Sequence, residues 1–284
     1  MKYGMPGLLC MMLAGVALAA GPRAASEQMQ ASMLVRGSIT VAADGSVKSY
    51  LVDHPEQLPR EVVNLIARNV PKWRFEPVAR AGQPVIAQAA MDLRVVAKPL
   101  GNDEFALSVA GTNFGRPSSH AAADSPPISY KRRPPPAYPA LAANARAWGT
   151  VYLLLAIDHV GRVQHVDAEQ VNLGVVGGDR EMGRWRHALA QAAVSAARDW
   201  TFNVPAPASG ATSPHWLVRV PVAFTFASGA EPRYGVWHRY LPGPRVMPAW
   251  AGKLDSGDSA DAVGAGSISA VGEGLRRAKP FEGA

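Results

Sequence analysis

The chain of 284 residues holds a single cysteine, Cys10, so everything after it is without disulfides and thiolate metal sites. It also lacks the short signatures of common catalytic sites. There is no His-Glu-x-x-His run, and none of the 7 histidines pairs with another at the i, i+4 spacing of a helical metal site. No Gly-x-Ser-x-Gly elbow occurs. Gly174 to Gly178 is glycine-rich but is not followed by the Lys-Ser/Thr of a phosphate loop, and reads as a plain flexible connection. Asp44, Asp53, Asp158 and Asp167 fall in or beside hairpins, where solvated turn carboxylates are common, and no spacing brings two of them together as an acid/base pair. His159 and His165 flank one turn and read as a surface pair. The expectation is a non-enzyme with no catalytic residue, no cofactor and no metal. Charge is also scarce, at 18% of residues, and after residue 20 no apolar run is long enough to span a bilayer.

What is present starts with the first residues. Lys2 precedes an apolar run from Leu8 to Ala20, and Ala17-Leu18-Ala19 supplies small residues at cleavage spacing. This predicts a secretory signal peptide over residues 1–20 and hence export to the periplasm of a Gram-negative envelope. The net charge of +7 favours an anionic partner, such as a cell-wall polymer or lipid head groups. Export argues against nucleic acid. Gly 27 and Pro 24 exceed what two compact domains need, so linkers and a loose tail are expected.

A long-period repeat organises the rest. Trp73-Arg74-Phe75 recurs 127 positions later as Trp200-Thr201-Phe202, and the similarity extends outward from both. A period of this length means tandem domains. In the first copy, residues 31–97, Met33, Val35, Ile39 and Val41 alternate as a half-buried strand, and Asp44-Gly45 turns the chain. Val47 and Tyr50 begin the return strand. Val62, Val63, Leu65, Ile66 and Val70 then form a helical stripe ended by Pro71. Trp73 and Phe75 start a short strand, and Val85 to Val95 alternates along the last one.

The second copy repeats the order. Val151, Leu153, Leu155 and Ile157 alternate, and Gly161 turns the chain. Trp185, Leu189, Ala192, Ala193 and Ala196 mark the helix, and Trp200 and Phe202 follow. Trp216, Val218, Val220, Val222, Phe224 and Phe226 form the last strand. Each copy is therefore predicted as an antiparallel sheet of three to four strands packed on one helix in β-β-α-β-β order, an α+β fold. Trp73 and Trp200 are expected as core anchors at the helix–sheet junction.

Residues 98–128 read as a linker, with Glu104 to Ala110 as an extra strand. Tyr130-Lys131-Arg132-Arg133 is basic and leads into Pro134-Pro135-Pro136, which favours an extended chain. Residues 228–284 divide into an aromatic and proline-rich strap, Tyr234 to Trp250, and a Gly, Ser, Ala and Asp-rich remainder predicted to be disordered.

Pro136-x-Tyr138-Pro139, Gly149-Thr150-Val151, Gly161, Trp200-x-Phe202 and Val220-Pro221-Val222-x-Phe224, in that order, resemble the carboxy-terminal domain of the TonB family over residues 129–227. Residues 31–97 look like a divergent second copy that keeps Trp73 and Phe75 without the Tyr-Pro opening. The resemblance implies a periplasmic adaptor that binds an extended peptide of an outer-membrane transporter as an added strand. The matching edge is the last strand, with Leu217, Arg219, Ala223 and Thr225 pointing outward and Arg219 placed to steer an acidic peptide. An edge already covered by the Tyr234–Trp250 strap is the competing expectation. The resemblance also implies an inner-membrane energising complex as a partner; peptidoglycan is the alternative that the basic balance, including Lys131, Arg132 and Arg133, suggests. A full energy transducer has a retained anchor and a long Pro-Lys spacer, and this sequence departs from both. An uncleaved start would restore the anchor.

Overall fold

The computed structural model describes residues 29–101, 104–115, 128–205, 215–226, 234–252, 259–264, 266–272 and 274–278; the expected signal segment lies outside them. The fold is α+β, with antiparallel sheets covered by helices. Among the described residues, no helix is long and apolar enough to cross a membrane.

In the first half, β1 (Gln30–Val41) turns through Gly45 into β2 (Val47–Val52). The helix α1 (Arg60–Asn69) follows and lays Val62, Leu65 and Ile66 on the sheet. A 3-10 turn over Val70–Lys72 carries the chain past Pro71 to Trp73. The two-residue strands β3 (Ala79–Arg80) and β4 (Gln83–Pro84) form a small hairpin. Then β5 (Ala87–Gly101) pairs with β1 and with β6 (Glu104–Phe114). The predicted end of the first unit at residue 97 thus falls inside β5. The extra strand expected in the linker is longer than the sequence implied and belongs to the same sheet.

In the second half, β7 (Ser129–Arg132) leads through the proline run to the short helix α2 (Ala140–Asn144), which starts after Pro139. The hairpin of β8 (Gly149–Asp158) and β9 (Val163–Leu173) precedes α3 (Asp179–Ala197). Asp179 and Glu181 sit in the first turn of α3, favourable at the positive end of the helix dipole, and the Glu181 carboxylate accepts the Gly178 N–H at 3.2 Å. Next come β10 (Thr201–Asn203), which pairs with β7, and β11 (His215–Phe224), which pairs with β8.

The order β2-β1-β5-β6 in one sheet matches β9-β8-β11 in the other, where β13 (Ser269–Ala270) takes the place beside β11. Local geometry repeats as well. The Gly45 carbonyl accepts the Phe75 N–H at 2.9 Å, and the Gly161 carbonyl accepts the Phe202 N–H at 2.8 Å. Both glycines have positive φ, 81° and 85°, and a Cβ on either would lie about 2 Å from the facing Phe carbonyl oxygen.

Each sheet has its own apolar core. One holds Met33, Val35, Ile39, Trp73, Phe75, Leu93 and Phe114; the other holds Val151, Leu153, Leu155, Leu189, Trp200, Phe202 and Phe224. A second set of buried residues lies on the opposite face of the strands: Val96, Tyr152, Leu154 and Ala156, with Ala260, Ala262 and Val263 of the tail. The two sheets therefore meet through the faces turned away from their helices. The tail adds a 3-10 turn over Ala260–Ala262 that touches β5, β6 and β9.

The tail over 259–278 was expected to be loose, yet Ala260, Asp261, Ala262, Val263, Ser269, Val271 and Leu275 are buried, while Gly266, Ser267 and Gly272 stay exposed. Ser259 N–H donates to the Thr112 carbonyl at 2.8 Å, Leu275 is buried in the first core, and Phe75 pairs with Arg277. Composition undervalued this segment because its burial depends on surfaces from distant strands: Ala260 and Ala262 are 0% exposed in the turn against β5, β6 and β9. The strap follows its own route, with β12 (His238–Tyr240) pairing with β1 and Leu241 with Leu173.

Candidate functional site, the edge of the second sheet and its covering tail

The predicted edge, β11, is fully exposed to solvent on neither face. Leu217, Ala223 and Thr225 are half-buried. Arg219 is the correction: it is 0% exposed, and it faces away from the helix as its alternation requires, but that face is covered. Its Nε donates to Glu169 Oε2 at 2.7 Å and its Nη2 to Oε1 at 3.1 Å. Glu169, also 0% exposed, takes a second cation from the strap through Arg245, whose Nε donates to Oε1 at 2.7 Å. Arg219 is committed to an internal carboxylate and does not guide an acidic peptide. The placement of Glu169 comes from a register shift in β9. Tyr152 opposes Gln170 while Leu153 opposes Ala168, so Glu169 is the extra residue. A bulge of this kind re-aims side chains, and here Glu169 and Gln170 both reach the sheet–sheet side.

The tail itself occupies part of the edge. Ser269 pairs with Arg219 and Ala270 with Val218, antiparallel, and the Val271 N–H donates to the Leu217 carbonyl at 2.8 Å. The strap, expected as the cover of this edge, instead lies along the other one. There the Val246 N–H donates to the Glu169 carbonyl at 2.8 Å, Trp250 Nε1 donates to Asp167 at 2.6 Å, and His165 stacks on Trp250 with ring centroids 5.3 Å apart. His165 thus faces an indole rather than His159. Among the described residues, no group of three His, Cys, Asp or Glu side chains is placed to hold a metal ion.

The motif residues are structural in their contacts. Tyr138 donates its hydroxyl to the Ala147 carbonyl at 2.8 Å and meets Phe224 edge-on at 5.5 Å. Pro139 opens α2, and Gly149 lies so close to Asn172 that a Cβ would be 2.2 Å from its carbonyl oxygen. Trp200 donates its indole N–H to the Pro134 carbonyl at 2.9 Å, and Arg133 lies over its ring at 5.2 Å. Trp73 has a matching cation, Arg277, at 4.9 Å. The first unit thus receives from the tail what the second receives from the segment before it. Phe75 pairs with Arg277 as Phe202 pairs with Tyr130.

Behind the edge lies a buried polar cluster that sequence reading missed. Arg94 on β5 donates to Ser32 Oγ at 2.9 Å, to the Tyr152 hydroxyl at 3.0 Å and to the Asp261 carbonyl at 3.0 Å. The Asp261 carboxylate accepts from Tyr240, from Asn172 at 3.0 Å and from Gln170 at 3.4 Å. Burial pushes the Tyr152 and Tyr240 hydroxyls up from their ordinary pKa, and for Tyr240 the Asp261 carboxylate adds to it, so both stay neutral. The cluster joins both sheets, the strap and the tail. One visible clue was the unbroken apolar run Val151 to Ile157, which fits a strand covered on both faces better than a half-exposed one.

Comparison with family models, with curated proteins and with solved structures gives no match. The functional reading therefore stands on residues and geometry. Among the described residues, the outer edge of β6 from Glu104 to Ala110 has no main-chain partner, and the edge of β11 has a short one.

Proposed function

We propose that the protein is an exported adaptor or scaffold of the TonB type, working in the periplasm and binding an extended peptide of an envelope protein, with an outer-membrane transporter as the first candidate. The reading is supported by one observation above all: β11 already carries a short extended segment, Ser269–Ala270, as an added antiparallel strand. An edge that accepts one strand offers another the same carbonyl and amide groups. Main-chain hydrogen bonds then supply affinity and alternate side chains supply specificity. The order of motifs from Tyr138 to Phe224 and the export expected from residues 1–20 support the same reading.

The test uses the full chain immobilised against detergent-solubilised outer membranes, followed by hydrogen exchange with a peptide from the periplasmic face of a retained transporter. Retention of a transporter, with slowed exchange at Leu217 to Phe224, is the expected result. Pelleting with peptidoglycan that disappears with salt, and no slowed exchange in β11, would replace this reading with that of an anionic-surface binder.

A further inference from the structure

We infer that the tail segment at Ser269–Ala270 is a resident competitor for the β11 edge, so that a partner peptide binds only as this segment leaves. The inference rests on the strand-addition reading and adds to it the form of the ligand and the means of control.

The tail is anchored on either side of this segment, and the main-chain ladder between the anchors is short. Before it, Asp261 is locked among Arg94, Tyr240 and Asn172. After it, Leu275 enters the first core, and the Ala278 N–H donates to the Arg74 carbonyl at 2.9 Å. The contact with β11 between these anchors covers two register pairs, against ten between β11 and β8. Gly266 and Gly272 bracket it at φ 75° and 83°. Nothing lies within 4 Å of the Cβ position at either glycine, so the chain there is uncrowded. Leaving the edge costs this short ladder, the Ser269–Asn113 hydrogen bond and the burial of Ile268 and Val271, and leaves both anchors in place. The anchors in turn keep it at high effective concentration beside the edge, which lowers the apparent affinity of any competing peptide.

The resident strand also describes its rival. Ile268 packs against the second core, while Ser269 is buried with its Oγ donating to Asn113 Oδ1 at 2.8 Å, and Val271 is 6% exposed. Successive side chains of a strand point to opposite faces. The fitting ligand is thus an extended peptide reading apolar, small hydroxyl, small, β-branched. A charged side chain in the place of Ser269 would be buried without a partner and is excluded.

The probe is a labelled synthetic peptide of residues 266–272, Gly-Ser-Ile-Ser-Ala-Val-Gly, added to the full chain. Val271→Pro removes the donor to Leu217 and should tighten binding of the probe by about tenfold or more, as the competitor is weakened. In a Cys10→Ser background, Val218→Cys with Ala270→Cys places two thiols at opposed positions of the ladder. Oxidation should abolish binding of the probe, and reduction should restore it. The oxidised and reduced forms are one polypeptide, so this comparison is independent of how well a variant folds. Unchanged affinity in Val271→Pro, or equal binding by the oxidised and reduced forms, overturns the inference. If the probe behaves as expected and transporter peptides fail to bind the opened chain, the competitor stands and the adaptor reading falls.

Discussion

Arg219 and Glu169 form a two-point ion pair between β11 and β9, at 2.7 and 3.1 Å, with both side chains shut off from water. Two charges so deeply buried hold each other in place at a high desolvation cost. Removing one of them leaves the other uncompensated. The pair also spans the central strand β8, so it ties together the two strands that flank it.

Glu169→Gln should lower stability by about 3–5 kcal/mol, because it strands the Arg219 charge inside the protein. Urea unfolding would show this as a lower midpoint at an unchanged slope. Replacing both residues by leucine should recover much of the loss, since an apolar pair of similar volume needs no counter-charge. A neutral effect of Glu169→Gln would mean that Arg219 is hydrated and available at the edge after all.

The two turn glycines give a test of the repeated geometry. Gly45→Ala and Gly161→Ala should each cost on the order of 2–4 kcal/mol, combining an unfavourable positive φ with a collision against the Phe75 or Phe202 carbonyl. Gly82→Ala is the control: its φ is 78°, but nothing lies within 4 Å of its Cβ position, and the conformational term alone is about 1 kcal/mol. Thermal unfolding of the three variants would separate collision from conformation. Equal losses at all three positions would show that the glycine–phenylalanine approach has no energetic weight.

Asp92 sets a pH dependence. Burial pushes its carboxyl up from 3.8 to about 6, against the hydrogen bond from Asn113 and the charge of Arg36, which act the other way, and Asp53 adds a small push upward. The folded protein holds this proton more tightly than the unfolded chain does. Its contribution to stability is therefore complete below about pH 4 and is lost as pH rises through about 6. Asp92→Asn removes the penalty and should stabilise the protein at pH 7 by about 1–3 kcal/mol, with little effect at pH 3.5. Chemical denaturation at the two pH values checks both size and sign. A loss of stability at pH 7 would place the ionised carboxylate in a favourable setting instead. Asn113 donates to Asp92 at 3.2 Å and accepts from Ser269, so a chain of hydrogen bonds links Asp92 to the tail on β11.

Much of the fold was readable because it rests on local periodicity. Alternation at Met33 to Val41 and at Val151 to Ile157 marked strands, the stripe from Val62 to Val70 marked a helix, and Asp44-Gly45 marked a turn. The candidate edge was readable only in part. Period two placed Arg219 on the face away from the helix, which is where it lies, but no pattern within one strand can tell whether that face meets water or another sheet. The buried cluster was out of reach for the same reason. Arg94, Tyr152 and Asp261 are far apart in the chain, and a lone charge in a strand usually reads as solvent-facing.

By itself, the order of residues determined the α+β class, the antiparallel strands with their helices, and the tight glycine turns, because each follows from contacts between near neighbours. Tertiary structure decided the rest. It turned the outer faces of two sheets toward each other, buried Arg219 and Arg94 with their partners, and laid a glycine-rich tail along an edge. Those outcomes depend on surfaces built from distant segments, where shape and charge are matched only after the chain has folded.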